Sequence, residues 1–207
     1  MNRYIILTML WTTWCFLHSA LNTQPVLDFV KRHFGKQYPY YRIFYNLIAL
    51  LTLAPVLLYS ATLESPLVFR WDGPWRIVQV ILLLSAAILF VAGAKQYDLV
   101  RLLGLRPPDN PNDCRALTDD CRLEKRGILG FVRHPWYTGG ILIVWSRDLT
   151  TAACLTSTII TGYFLVGTLL EEKKLIREYG EEYRRYQKEV SMLFPVKWLI
   201  QKLNKAD

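Results

Sequence analysis

The sequence predicts an all-α protein: a polytopic membrane helical bundle of about five spans, with a C-terminal helical hairpin and further cytosolic helices after it. Three observations carry this. Long runs lack charge, basic residues alternate between poor and rich connections, and the last third turns rich in Gly, Tyr and paired acids. Averages conceal all three. The 207 residues hold 25 Lys+Arg against 17 Asp+Glu, a formal net charge of +8, with 52% hydrophobic residues. Such values exclude a disordered chain, a collagen and a disulfide-rich mini-protein, but they fit a soluble basic protein as well as a membrane one. The distribution of charge decides.

Tyr4–Leu21, Ile43–Ala61, Ile77–Ala94 and Leu149–Leu170 run for 18, 19, 18 and 22 residues without Asp, Glu, Lys or Arg. A hydrocarbon core about 30 Å thick needs about 20 such residues as a helix, so each run predicts a span. Trp136–Ser146 is also uncharged but has 11 residues, which predicts a short or re-entrant helix. Arg147-Asp148 supplies a polar turn between it and the last run, so the two form a hairpin with one short arm. Arg3, the first run and Ser19-Ala20 also have the outline of a cleaved leader. Removing a leader would leave an even number of spans and spoil the charge balance, which favours a span.

Lys and Arg give the orientation. Arg3, Arg70, Arg76 and Arg147 fall on one side, and the other 21 basic residues fall in the remaining connections and the tail. The N-terminus is therefore expected outside, with the C-terminus in the cytosol of a bacterial inner membrane. The net charge becomes an orientation signal, and no nucleic-acid partner is expected. Cys15 and Cys154 sit in apolar runs as packing residues. Cys114 and Cys121 have a spacing unlike zinc sites and no His nearby, so no metal site is expected.

The segment RPPDNPNDCRALTDD (residues 106–120) is a loop, because its prolines and Asn/Asp residues block regular structure. It divides the chain into a three-span region (1–105), a cytosolic loop (106–126) and a C-terminal core (127–207). The last span runs on into EEKKLIREYG, where Gly180 suits a helix C-cap, and a second helix, EEYRRYQKEV, follows. Tyr179, Tyr183 and Tyr186 recur at helical spacing, a stripe suited to packing against the membrane surface or the loop. Leu193-Phe194-Pro195 with Trp198 suits an interfacial anchor.

Chemistry is expected in the core. Gly127 and Gly130 permit close backbone approach, and Pro135 suits a first helical turn, whose N–H groups would face Arg133-His134. Arg133 also reads as a basic anchor and His134 as an interfacial residue. Glu171-Glu172 stands at a hydrophobic boundary where basic flanks are usual. The pair reads either as part of an i,i+4 surface lattice or as one acid turned inward to meet a cation. Adjacent helical residues point about 100° apart, so one acid can pair with Arg133 while the other binds a ligand. His18 either lines a substrate cavity or is a packed histidine bonded to a neighbour.

Together, Gly-x-x-Gly, Arg-His-Pro-x-Tyr-x-Gly, a hairpin and Glu-Glu-x-x-Leu-x-x-x-Tyr-Gly-x-x-Tyr-x-x-Tyr resemble the isoprenylcysteine carboxyl methyltransferase and phospholipid methyltransferase superfamily. The resemblance is specific from Gly127 to about Pro195. His18-Ser19 and Tyr41-Arg42 to Tyr45-Asn46 look like the bacterial branch that includes NnrU-like proteins and methanethiol S-methyltransferases. The resemblance implies a multi-pass enzyme using S-adenosylmethionine in a cytosol-facing pocket. Gly127, His134, Pro135, Tyr137 and Gly139 would line the cofactor site, with Glu171 and Glu172 opposite, one near the cofactor's cationic groups. Arg133 and Glu172 would be catalytic. Arg133 would approach a substrate or cofactor carboxylate, and Tyr183 and Tyr186 would close the pocket on the substrate side. Arg133→Ala and Glu172→Ala are each expected to abolish methyl transfer while leaving the protein folded.

The acceptor stays open among a carboxylate, a thiol, an amine and a hydroxyl, lipophilic or small. A carboxylate or thiolate needs little acid–base help, whereas an amine or hydroxyl would need His134 or a Glu as base. An NADPH-dependent sterol-type reductase shares the Arg-His-Pro-x-Tyr-x-Gly element but not Glu171-Glu172 with the following tyrosines. A non-enzymatic membrane scaffold is the third reading.

Overall fold

The computed structural model describes residues 2–96, 99–105, 123 and 125–204. In chain order the elements are α1 (Asn2–Leu21), α2 (Gln24–His33), α3 (Tyr41–Thr62), β1 (Leu67–Phe69), α4 (Trp75–Ala94) and α5 (Leu99–Leu102). There follow α6 (Pro135–Trp145), β2 (Leu149–Thr150), α7 (Thr151–Tyr179), α8 (Glu181–Glu189) and α9 (Val196–Leu203). Cys114, Cys121 and most of the expected 106–126 loop lie outside the described residues.

Among the described residues four helices are long and apolar enough to cross a membrane, and they coincide with the four long uncharged runs. The fifth arm is α6, whose 11 residues extend about 16 Å as a helix, roughly half a hydrocarbon core. It is the short arm of the hairpin and does not span by itself. Chain chemistry sets its bounds. Pro135 occupies the first turn, where a missing N–H costs nothing, and Ser146 closes the end with its hydroxyl on the Leu142 carbonyl.

The long helices meet through small or shape-matched residues. Leu7 and Trp11 of α1 pack with Val56 of α3 and Ala152 of α7. Between α4 and α6, Gly93 lies under Trp136 so closely that a Cβ there would come within 2.4 Å of the indole nitrogen. Gly139 faces Phe90, and a Cβ on it would sit 2.9 Å from that ring. Gln79, a polar interruption in its run, donates from Nε2 to the Ser146 carbonyl at 2.6 Å. A small latch holds the same end: β1 pairs antiparallel with β2, and Asp148 accepts from the Trp71 backbone N–H at 3.0 Å.

At the opposite end α7 outlasts the apolar run by about nine residues, as its sequence predicts, and stops where Gly180 takes a φ of +56°. The turn lays α8 back against α7. Tyr183, Tyr186 and Val190 then pack on Leu175, Ile176, Tyr179 and Leu123, the last from the chain preceding the Gly127 turn. The amphipathic helix α2 was not expected from hydropathy alone. Its polar and apolar residues alternate too quickly to make an uncharged run, and Phe29 stays about half exposed.

Candidate functional site

The site forms where three segments meet: the Arg133-His134 lead-in to α6, the far end of α7, and the α8–α9 tail. Backbone pairing fixes the first against the third. Val132 bridges Ser191 in parallel, the Arg133 N–H donates to the Ser191 carbonyl at 2.9 Å, and the His134 N–H donates to the Met192 carbonyl at 3.1 Å. Thr138 reinforces the join, giving its hydroxyl to the Leu193 carbonyl at 2.8 Å. Arg133 and His134 therefore leave the strand-like segment with defined directions.

Both converge on Glu172. Arg133 Nε donates to Glu172 Oε1 at 2.7 Å, with both side chains 7% exposed. His134 Nε2 lies 3.1 Å from the same oxygen. Gln187 Nε2 of α8 donates to the other oxygen, Oε2, at 2.7 Å. Arg133 Nη1 donates to the backbone carbonyls of Gln187 and Val190. Lys197 of α9 reaches the same Gln187 carbonyl at 2.6 Å. A buried carboxylate is tolerable only with this degree of compensation. Of the two readings of Arg133, anchor or inward pair, the geometry is that of the inward pair.

The neighbouring acid differs. Glu171 Oε2 is 3.7 Å from His134 Nδ1, beyond hydrogen-bond distance, and its side chain is 43% exposed. His134 thus stands between a saturated carboxylate and an accessible one. Its ring stacks on Tyr137 at 5.6 Å, and Tyr137 stacks on Phe164 of α7 at 5.3 Å, giving an aromatic wall beside the acids. Gly127, at a φ of +59°, turns the chain into the 3-10 segment preceding Arg133 and lies against Gln96.

The expected residues are placed as follows. Arg133, His134, Tyr137, Glu171 and Glu172 surround one region, whereas the Pro135 ring is buried on the side of Gly93 of α4. Gly139 faces the other way, into the α4 contact. Tyr183 and Tyr186, expected at the substrate, lie instead beneath the site at 1% and 3% exposure, and the Tyr186 hydroxyl donates to the Leu129 carbonyl at 2.7 Å. Burial pushes the Tyr183 phenol above its ordinary pKa. The expectation that Arg133→Ala and Glu172→Ala leave the fold intact does not suit a pair this buried, since either change strands a charge. Gln187 was missed. Its signal was positional, one residue after Tyr186 and one turn after Tyr183, on the face of α8 that turns inward.

A polar cluster built at the end of a helical hairpin, under a short capping unit, defines a class of helical membrane protein. The NnrU protein family matches residues 6–200, and the chain belongs to that family. It is also similar to the methanethiol S-methyltransferase of Pseudomonas deceptionensis, 48% identical over 68 residues, 31% of this chain and 25% of that protein. Methanethiol S-methyltransferase 1 of Bradyrhizobium diazoefficiens is 47% identical over 66 residues, 31% of this chain and 23% of the relative. For the enzyme of that name in Mycobacterium tuberculosis the figures are 42% over 66 residues, 31% and 27%. The matched stretch spans about a quarter of these relatives' length. No solved structure matches the chain.

Proposed function

We propose that this protein is an integral membrane methyltransferase using S-adenosylmethionine, with its N-terminus outside, its C-terminal site cytosolic and its acceptor a small thiol. The observation that carries the reading is the unequal acid pair: Glu172 saturated by Arg133, His134 and Gln187, and Glu171 beside it left accessible. The family membership and the partial likeness to methanethiol S-methyltransferases support it.

The donor set fits the cofactor. S-adenosylmethionine carries an ammonium, a sulfonium, a carboxylate and a planar purine. Glu171 is an accessible carboxylate for a cationic group, the first turn of α6 is a positive dipole end for a carboxylate, and the stacked Tyr137 and Phe164 rings form an aromatic wall beside them. When bound, the cofactor supplies an electrophilic methyl group. Glu171 holds cationic charge, and Tyr137 and Phe164 exclude water. Arg133, Glu172 and Gln187 act by positioning: they lock His134 and the start of α6 against α7. Tyr183 and Tyr186 support that lock from below. A thiol acceptor, ionising readily, needs little acid–base help beyond being held in line.

Calorimetry on the detergent-solubilised protein tests this. S-adenosylmethionine should bind, and Glu171→Gln should weaken it about tenfold or more, the effect of losing a charge-assisted contact. Radiolabelled methyl groups should pass to a small thiol in preference to membrane lipids or a prenylcysteine. Binding of NADPH with no binding of the methyl donor would overturn the proposal.

A further inference from the structure

Helix α2 leaves the bundle at the edge where the apolar spans end. Two contacts fix that level. Leu7 of α1 packs in one cluster with Ala152 of α7, and His18 Nδ1 lies 2.7 Å from the Tyr163 hydroxyl. Each pair is eleven residues on from the other, so α1 and α7 run parallel and in step. Leu21, the end of α1, is then level with Val166, four residues before the uncharged run of α7 stops at Leu170. Thr23 is extended and Pro25 opens a new helix, so α2 departs from the axis of α1 there. The chain returns to the same level, because the Tyr41 hydroxyl at the start of α3 donates to the Leu21 carbonyl at 2.7 Å. Both ends of the connection are thus tied to the membrane edge, on the side of Glu172.

The faces of α2 differ sharply. Val26, Phe29, Val30 and His33 recur at i, i+3, i+4 and i+7 and form one side. Gln24, Asp28, Lys31 and Arg32 form the other. No residue of α2 is buried, and Phe29 and, just beyond the helix, Phe34 are more than half exposed. A soluble helix that leaves its apolar side open loses the main reason to fold, whereas a helix of this pattern lies in the plane of a membrane interface. Tyr38, Tyr40 and Tyr41 follow in the returning segment, the residue type that collects at headgroup level, and Lys31 Nζ stands 5.9 Å from the centre of the Tyr38 ring. We infer that α2 is a lipid-binding helix: its apolar side sits among acyl chains, and Lys31, Arg32 and Lys36 hold the phosphates of anionic phospholipids.

Charge selects the lipid. Between Leu21 and Tyr41 the three basic residues face a single acid, Asp28. Gln24 Nε2 already donates to Asp28 Oδ1 at 2.7 Å, and Asp28, Lys31 and Arg32 border one open recess. The surplus is positive. A zwitterionic headgroup brings its own cation with each phosphate and leaves that surplus unmet, whereas an anionic headgroup meets it. A soluble acidic partner would answer the charge and leave Phe29 and Phe34 in water. A second copy of the chain seated on the same face by two-fold symmetry would bring the same basic residues together. The bilayer is the occupant that answers both sides of the helix, and it is already in place around the adjoining spans.

Hydrogen exchange of the full chain in lipid nanodiscs tests this, read by mass spectrometry over residues 24–33. One set of discs holds phosphatidylcholine alone, the other phosphatidylcholine mixed with phosphatidylglycerol. In the mixed discs the α2 amides should exchange about tenfold more slowly, since each basic residue near an anionic surface adds to the docking. The double variant Lys31→Gln with Arg32→Gln should lose most of that difference. Phe29→Ser should speed exchange of α2 in both kinds of disc. Exchange of α7 should be unchanged in these variants, which shows the bundle intact, and the wild-type comparison stands without any variant. Equal α2 exchange in the two lipid mixtures would overturn the inference. So would a double variant that keeps the full difference, or a Phe29→Ser chain that behaves as wild type. Glycerol phosphate slowing exchange in phosphatidylcholine discs would mark a site for a soluble anion instead. Slow exchange only in discs holding two chains would mark an interface between copies, and either result overturns the lipid assignment.

Discussion

Helix α7 carries two polar clusters of opposite character. Around Glu172, at its far end, the groups are ionic and packed: a carboxylate, a guanidinium, an imidazole and a carboxamide. Around Tyr163, about 13 Å back along the helix, they are two phenols, an imidazole and a hydroxyl, with no formal charge required. Depth accounts for the difference. A charge near the membrane edge can be compensated by backbone carbonyls of a folded tail, as Gln187 and Val190 compensate Arg133. Deeper in the span such carbonyls are already used within helices, and neutral groups are the less costly way to place polarity there. The two clusters should therefore fail differently when altered.

The largest effect is expected at Glu172→Ala. The change leaves the Arg133 guanidinium buried without its carboxylate, a loss of about 3–5 kcal/mol for a buried pair. Thermal denaturation in detergent should show a clear drop in midpoint, whereas Glu171→Gln should hardly move it. Similar behaviour of the two variants would mean that the acids are equally solvated, and the contrast between them would fall.

Gln187→Leu should be milder. It removes one charge-assisted bond to Glu172 Oε2 while keeping volume, a loss of about 1.5–3 kcal/mol. The useful reading is the split between stability and binding. If Gln187 positions Glu172, S-adenosylmethionine affinity should fall along with the midpoint. A lower midpoint with unchanged affinity would confine Gln187 to holding α8 in place.

The difference in character also explains what the sequence revealed. The four long spans, the short α6 arm and the extension of α7 to Gly180 were legible because charge-free run length and a glycine stop are local properties. Arg133, His134, Glu171 and Glu172 were legible as a set because two motifs flank one hairpin. Which acid faces inward was not, since that depends on where α8 returns. Gln187 was hidden for the same reason: nothing beside it in the chain marks a glutamine that meets a carboxylate 15 residues upstream. Tyr183 and Tyr186 showed a stripe, but a stripe does not tell a pocket wall from packing. His18 was open to two readings because its partners, Tyr45 and Tyr163, come from helices far along the chain.

The smallest effect is expected in the deep cluster. Tyr45→Phe deletes a hydroxyl shared with His18, and interhelical hydrogen bonds within membranes average about 0.6 kcal/mol because unpaired groups find other partners. The same denaturation measurement should show little change, several-fold less than for Glu172→Ala. A small structural effect sharpens the comparison. A drop as large as that of Glu172→Ala would mean that the deep cluster braces the helices as firmly as the ionic one, and the contrast between the two would fall.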